Sequence, residues 1–268
     1  MKVDETNKTQ TFLIFRFGKK KWIDQFKNGT FSFSCAGAYI EQGKTNQAQG
    51  DLYEAVFARL KRSDPRIEKM KRKLGEDLEI IEDHEYVMLR RKSAKLIPIF
   101  CFFHYEIQDL REGSLGEVGE GNLVPISLEF DKRMFTGFSE EGNVAEEDRL
   151  ETICVYTEPF INHVKRIVKS PFGSVKNAEM HRVDYSKRKS EEFFIEPTEE
   201  YAELFCKDES YAYQHEGRIA LLNMRFDSTV ERIDIETEPF KNTEYNVTDV
   251  SPFKIVLMAH VSQNGAFE

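Results

Sequence analysis

Cysteine is scarce in this chain, and the few cysteines lie far apart. Cys35, Cys101, Cys154 and Cys206 are the only four in 268 residues, and none belongs to a CxxC pair. Such spacing provides neither a disulfide framework nor a structural zinc site. We therefore interpret them as reduced thiols that pack like small apolar residues, and we predict no metal ligands.

Long hydrophobic runs are also missing. The longest apolar run, residues 96–103, has eight residues and includes a proline, whereas a helix that crosses a bilayer needs about twenty. The first ten residues, MKVDETNKTQ, lack the basic and then apolar pattern of a secretory signal. We therefore expect a cytoplasmic protein with no membrane partner. A hydrophobic content of 40% alongside 32% charged residues is typical of a folded chain.

The common catalytic signatures are absent as well. The sequence has no GxxxxGK[ST], GxGxxG, HExxH or GxSxG motif, which removes kinases, P-loop NTPases and zincins from the candidates. A net charge of -9 argues against a surface that binds nucleic acid all over. A basic block, residues 59–73 with eight Lys/Arg, precedes an acidic block, residues 76–85 with six acids. We expect the blocks to neutralise each other, with a phosphate-binding surface as the alternative.

The order of hydrophobic patterns predicts an α+β fold. Strands are indicated at FLIFRF, TFSFS, YVMLRR, LIPIFCFFHY, LVPISLEF, MFTGF and TICVYTEPF, and again throughout the last third of the chain. Helical spacing marks KKKWIDQFKN, DLYEAVFARL, EPFINHVKRIVK and PTEEYAELFCK. We expect mainly antiparallel sheets with a few flanking helices. No linker or repeat marks a boundary, so residues 1–268 are predicted to form a single elaborated domain.

Polar residues interrupt several of the apolar strands. They are Arg16, Ser32, Ser34, Gln214, Glu216 and Arg218. Residues two apart in a strand point the same way, so Gln214, Glu216 and Arg218 are expected to share one face. Burying such groups together is costly unless each has a partner. The set is therefore either a structural ion-pair network or a functional site.

An arginine, then serines on a strand, then a late Gln-x-Glu resembles the arrangement of ADP-ribosyltransferases. The resemblance implies that Arg16 and Ser32 or Ser34 hold NAD as the cofactor. It implies that Glu216 binds the ribose 2′-hydroxyl and stabilises an oxocarbenium-like transition state, while Gln214 helps to choose the acceptor. It also implies an ADP-ribosyltransferase-like fold.

A broader resemblance covers most of the chain. The segments LIFRF, FKNGTFSFS, GDLYEAVF, PIFCFF, ICVYTEPF and FCKDESYAYQHEGRIAL resemble a widespread prokaryotic family of uncharacterised domains, whose late strand carries a K-x-x-x-Y…E-x-R-I pattern. Members of that family often occur near phage-defence genes and mobile elements. The resemblance implies a defence effector or toxin with a protein partner or a nucleic-acid acceptor, and it allows an oligomer.

The residues leave three functions open. The first is an NAD-dependent ADP-ribosyltransferase or NAD hydrolase, and the second is a non-catalytic binding or sensor module of a phage-defence system. The third is a metal-dependent nuclease that uses Asp51, Glu54 and Glu216. We expect Asp51 and Glu54 to cap a helix or to orient Arg16. Residues 236–238 form a competing Glu-x-Glu triplet, at a strand end before a proline.

Overall fold

The structure is a computed structural model that describes residues 11–45, 50–106, 109, 123–135, 145–169, 178–249 and 254–260. The strands are β1 (Thr11–Lys19), β2 (Thr30–Cys35), β3 (Val56–Lys61), β4 (Leu78–Asp83), β5 (Tyr86–Arg91), β6 (Pro98–Glu106), β7 (Leu123–Glu129), β8 (Leu150–Tyr156), β9 (Ala178–Arg182), β10 (Phe193–Phe194), β11 (Glu216–Leu221), β12 (Ile233–Glu236), β13 (Tyr245–Asp249) and β14 (Lys254–His260). The helices are α1 (Lys20–Lys27), α2 (Ala36–Gly43), α3 (Pro65–Leu74) and α4 (Thr157–Lys169). Short 3₁₀ helices lie at Gly75–Asp77, Ser93–Leu96, Lys132–Phe135, Glu146–Asp148, Ala202–Phe205 and Glu209–Gln214.

The chain folds into two compact units, each assembled from separate stretches of sequence. Unit 1 contains residues 1–30, 102–165 and 237–268, and unit 2 contains residues 31–101 and 166–236. Helices and antiparallel sheets occur together, so the predicted α+β class is confirmed. The single domain over residues 1–268 stays a prediction.

Unit 1 is built on antiparallel pairing of β6 with β1, β1 with β8 and β8 with β13. Strands β7 and β14 form a separate antiparallel ribbon. Aromatic side chains fill the core. The Phe15 ring, for example, stacks on those of Phe103 and Tyr105, with centroid distances of 5.3 and 5.4 Å. Helix α1 buries Ile23 and Phe26, and the Phe26 ring lies 5.2 Å from that of Phe240.

Unit 2 contains a four-stranded antiparallel sheet in the order β10-β3-β5-β4. Its other strands pair β2 with β12 and β6, and β11 with β6 and β9. Helix α3 begins with residues that favour a helix N-terminus. Asp64 caps it by accepting from the backbone N–H of Arg66, and Pro65 occupies its first turn. Ile67 and Met70 of this helix join Phe57 and Leu89 in one hydrophobic core.

Two predicted helices are wrong, and so is the described part of one predicted strand. The helix expected at DLYEAVFARL is a turn followed by β3, because Ala55 takes a left-handed φ of 58° and β3 is buried on both faces. The helix expected at PTEEYAELFCK shrinks to the 3₁₀ turn Ala202–Phe205, which follows Tyr201 at a left-handed φ of 50°. Lys132–Phe135 is a 3₁₀ turn where MFTGF predicted a strand, and the rest of that segment lies outside the described residues.

The pairing of basic and acidic blocks is confirmed at two positions. Arg59 forms a salt bridge with Asp83 at 2.8 Å, and Arg62 forms one with Glu82 at 2.7 Å. The two blocks therefore neutralise part of each other's charge within unit 2.

Across the described ranges, no helix has both the length and the apolar character needed to traverse a bilayer.

Candidate functional site

Unit 2 encloses a group of charged and polar side chains that we call the buried charge cluster. Its members are Asp51, Glu54, Arg188, Lys207, Gln214, Glu216 and Arg218. Each of these residues exposes 8% or less of its surface to solvent. Three acids meet three cations, so the cluster carries no net charge when all six are ionised. Such balance is what burial of this many charges requires.

Arg218 lies at the centre and is completely buried. Its Nη1 and Nη2 atoms donate to the two carboxylate oxygens of Glu54 at 2.6 and 2.9 Å. Its Nε donates to Oε1 of Glu216 at 2.6 Å, and Nη1 also donates to the carbonyl oxygen of Leu204. One guanidinium thus holds two carboxylates that are 162 positions apart in the sequence.

Lys207 connects the two residues of the Gln-x-Glu triplet. Its Nζ donates to Oε2 of Glu216 at 2.6 Å and to Oε1 of Gln214 at 3.1 Å. The ammonium also lies 5.3 Å from the centroid of the Tyr211 ring, close enough for a cation–π contact. Both oxygens of Glu216 therefore face a cation, and Gln214 is held beside it.

Asp51 and Arg188 form the loosest pair of the cluster. Nη1 of Arg188 lies 3.8 Å from Oδ2 of Asp51, too far for a hydrogen bond. Oδ1 of Asp51 accepts from the backbone N–H of Tyr53 at 2.8 Å. Oδ2 of Asp51 and Nε of Arg188 have no hydrogen-bond partner among the residues that the structure describes.

Strained backbone conformations border two of the carboxylates. Ala55 follows Glu54 at a φ of 58°, and His215 precedes Glu216 at a φ of 47°. Left-handed backbone costs a residue other than glycine on the order of 1–3 kcal/mol and often marks functional segments. Gly50, which precedes Asp51, is closely packed, because a Cβ on it would lie 2.2 Å from the backbone nitrogen of Gly43.

The cluster keeps Glu216 ionised. Burial by itself would raise the pKa of this carboxyl group, but the charges of Arg218 and Lys207 outweigh burial and lower the pKa to about 2. The pKa of Glu54 is also lowered, since Arg218 and Lys207 overcome its burial. Asp51 differs: burial and the nearby charge of Glu54 raise its pKa. The same cluster thus holds a strongly acidic carboxyl group and a weakly acidic one.

We expect acid to destabilise unit 2 through Glu216. Its pKa falls from 4.5 to about 2 on folding, so its contribution is fully present above pH 4.5 and is lost as the pH falls towards 2. A shift of this size corresponds to about 3 kcal/mol. Asp51 acts in the opposite direction, because a raised pKa stabilises the fold at low pH and that contribution is lost as the pH rises through the raised pKa.

Urea unfolding at about pH 7 and at about pH 3 measures this dependence. The wild type should lose more stability between these conditions than the Glu216→Gln variant, which cannot titrate at that position. Equal losses in the two proteins would contradict the assignment. Glu238→Gln, which changes an exposed carboxylate, serves as the control and should behave as the wild type does.

The structure brings Gln214, Glu216 and Arg218 into one cluster, although they do not share one strand. Gln214 ends a 3₁₀ helix, and β11 begins only at Glu216. The expected shared face holds for Glu216 and Arg218, which are hydrogen-bonded to each other. Gln214 reaches the cluster through Lys207.

The candidate NAD-binding residues have contacts of their own. Ser32 and Ser34 are half-buried on β2, and the Ser32 hydroxyl accepts from Nη2 of Arg232 at 2.9 Å. Arg16 belongs to unit 1, where its guanidinium lies 5.2 Å from the centroid of the Phe26 ring. Their roles towards NAD stay predictions.

The roles predicted for Asp51 and Glu54 are corrected here, because no helix begins at this position. Asp51 caps a turn through the N–H of Tyr53. Glu54 gives both carboxylate oxygens to Arg218, where the sequence had suggested Arg16.

Sequence reasoning missed two cations of the cluster. Lys207 and Tyr211 correspond to the K-x-x-x-Y pattern in the late segment, and that pattern could have marked Lys207 as a partner of Glu216. Arg188 stands in the polar stretch SKRKS, which gives no sign of burial. Its guanidinium nevertheless packs 5.4 Å from the centroid of the Phe193 ring.

The described residues contain no group of three or more His, Cys, Asp or Glu side chains arranged to hold a metal ion. Comparison of the chain with protein-family models, curated proteins and solved structures found no match.

Proposed function

We propose that the protein is an NAD-consuming enzyme that breaks the bond between nicotinamide and ribose, and that it acts as a defence effector or toxin. The fate of the ADP-ribose, transfer to an acceptor or release by hydrolysis, depends on what attacks the ribosyl carbon. The observation that carries the proposal is the fixed, ionised carboxylate of Glu216, held by Arg218 at 2.6 Å and by Lys207 at 2.6 Å.

The chemistry of the reaction requires such a group. As nicotinamide leaves, positive charge develops on the anomeric carbon and the ring oxygen of the ribose. A carboxylate whose position and charge are set in advance stabilises that charge without reorganising during the reaction. The low pKa of Glu216 keeps the carboxylate charged over the physiological range.

Glu216 retains hydrogen-bonding capacity in spite of its two cations. A carboxylate offers about four lone-pair positions, and the hydrogen bonds from Arg218 and Lys207 use two of them. Lys207 holds Gln214 beside Glu216, so a ribose hydroxyl bound to Glu216 lies close to Gln214. This supports the roles that the resemblance to ADP-ribosyltransferases implies for these two residues.

One observation favours the non-catalytic alternative. Arg218 is completely buried, and each of its three nitrogens donates to a carboxylate. In a binding or sensor module, a network of that kind can have the sole role of fixing the fold. The two functions differ in whether Glu216 contributes more to turnover than it does to stability.

The direct test is to incubate the purified protein with NAD and to measure nicotinamide by chromatography. We expect nicotinamide release that persists in the presence of EDTA. Absence of both nicotinamide release and NAD binding by calorimetry would overturn the enzyme proposal. Cleavage of DNA or RNA that requires added Mg²⁺ would instead support the nuclease.

A further inference from the structure

The Asp51–Arg188 pair has a geometry that neither a structural salt bridge nor the role of Glu216 explains. Both residues are buried, with 1% and 5% of their surfaces exposed. A buried acid and a buried guanidinium normally form close hydrogen bonds, yet Nη1 and Oδ2 are 3.8 Å apart. An acceptor, Oδ2, and a donor, Nε, are left without a partner among the described residues.

The two groups match the hydrogen-bonding needs of one water molecule. A water accepts from a guanidinium N–H and donates to a carboxylate oxygen, at about 2.8–3.0 Å from each. Nη1 of Arg188 carries two hydrogens and donates one to the carbonyl oxygen of Cys206 at 3.3 Å. The other hydrogen can bond a water that also donates to Oδ2 of Asp51, because Nη1 and Oδ2 are 3.8 Å apart. Buried polar groups without protein partners are where proteins usually hold ordered water.

We infer that Asp51 and Arg188 bind the water that hydrolyses the ribosyl group, with Asp51 as the general base. This inference rests on the proposed function, because it names the attacking group for the reaction that Glu216 supports. It makes the protein an NAD hydrolase whenever no other acceptor reaches the ribose first.

The step is balanced without any further reactant. The C1′–N bond of NAD breaks, and its electron pair neutralises the pyridinium nitrogen of the departing nicotinamide. The water oxygen bonds to C1′ while its proton moves to Oδ2 of Asp51. The products are nicotinamide and ADP-ribose, and the proton passes to solvent when Asp51 ionises again.

The charges around Asp51 suit a base. The charged and titratable groups that act on it are Glu54, Arg90, Arg188, Lys207 and Tyr211. Burial and Glu54 raise the pKa of Asp51, and this moves its basicity towards the range that general bases use. Lys207 contacts Glu216, and its charge also acts on Asp51, so one ammonium group influences both carboxylates.

The test compares two reactions of the same enzyme: hydrolysis of NAD, and exchange of labelled nicotinamide into NAD. Exchange breaks and remakes the same bond without using water. Asp51→Asn should lower hydrolysis about a hundred- to ten-thousand-fold, while exchange stays within about threefold of the wild type. The variant keeps an oxygen that can accept from the N–H of Tyr53, so the turn is preserved.

Asp64→Asn is the matched control. Asp64 also accepts from the N–H two residues ahead, that of Arg66 at 2.8 Å, and it caps α3, which contributes no residue to the cluster. This variant should hydrolyse and exchange as the wild type does. If Asp51→Asn loses both reactions equally, or neither, the inference is wrong while the proposed function stands. A wild type with no hydrolysis and no exchange overturns both.

A second measurement needs no variant and covers the case in which Asp51→Asn fails to fold. In the wild type, the ratio of hydrolysis to exchange should rise with pH as Asp51 loses its proton. A ratio that stays constant from about pH 4 to about pH 8 would contradict the inference.

Discussion

Replacing Glu216 by glutamine should lower the rate of nicotinamide release about a hundred- to a thousand-fold. The loss of one electrostatic contact to developing charge typically costs about 2.7–4 kcal/mol of transition-state stabilisation. Glutamine keeps the size of the side chain and one acceptor oxygen, so the change removes mainly the negative charge. The measurement is the turnover of NAD at saturating substrate, with circular dichroism to establish the folded fraction.

The stability of this variant needs its own control, because Glu216 is also part of the buried network. Glu54→Gln is well matched: Glu54 is equally buried and also accepts from Arg218. We expect both variants to lower the melting temperature. The exchange of labelled nicotinamide into NAD, which does not use the Asp51 base, should fall in Glu54→Gln only as far as its folded fraction falls. If both variants lose exchange in proportion to folding, Glu216 is structural and the binding module becomes the better account.

Replacing Arg218 by methionine should destabilise the fold by about 3–5 kcal/mol. Removing one partner of a buried ion pair leaves the other charge without compensation, and here two carboxylates, Glu54 and Glu216, would remain. Methionine fills much of the same volume without a charge, so the loss reports the uncompensated charges rather than a cavity. Urea unfolding at neutral pH measures the difference in the free energy of unfolding.

Two further variants test whether uncompensated charge causes this loss of stability. Arg232→Met removes an exposed arginine that pairs with Asp234 at 3.4 Å, and it should change stability by less than about 1 kcal/mol. Adding Glu54→Gln and Glu216→Gln to Arg218→Met should recover part of the loss, because the carboxylates then no longer carry charge. An Arg218→Met protein as stable as the Arg232→Met protein would refute a structural role for the cluster.

Local patterns in the sequence predicted those elements whose burial is one-sided. The aromatic and hydroxyl alternation of Thr30–Cys35 gave β2, and the spacing of Ile23 and Phe26 gave α1. Strand β3 was mistaken for a helix because both of its faces are buried, and apolar residues then follow no strict alternation. A left-handed residue such as Ala55 has no signature that would have corrected the error.

The candidate site was predictable only in part, for a similar reason. Glu216 and Arg218 stand out because two charged residues in an apolar strand require partners. Their partners, Glu54 and Lys207, come from a turn and from the second residue after a 3₁₀ helix. In both places backbone conformation rather than periodicity decides the direction of a side chain. Arg188 comes from a polar loop, and only the tertiary structure reveals that it is buried.

Because unit 2 is formed from two stretches of sequence, the order of synthesis determines when it can fold. Glu54 leaves the ribosome in the first stretch, but its partner Arg218 is translated 164 residues later, after most of unit 1. Until then, Glu54 lacks the guanidinium of Arg218, which donates to its carboxylate in the folded chain. The cluster can therefore assemble only after Arg218 has been translated, and a nascent chain that stops before Arg218 cannot form it.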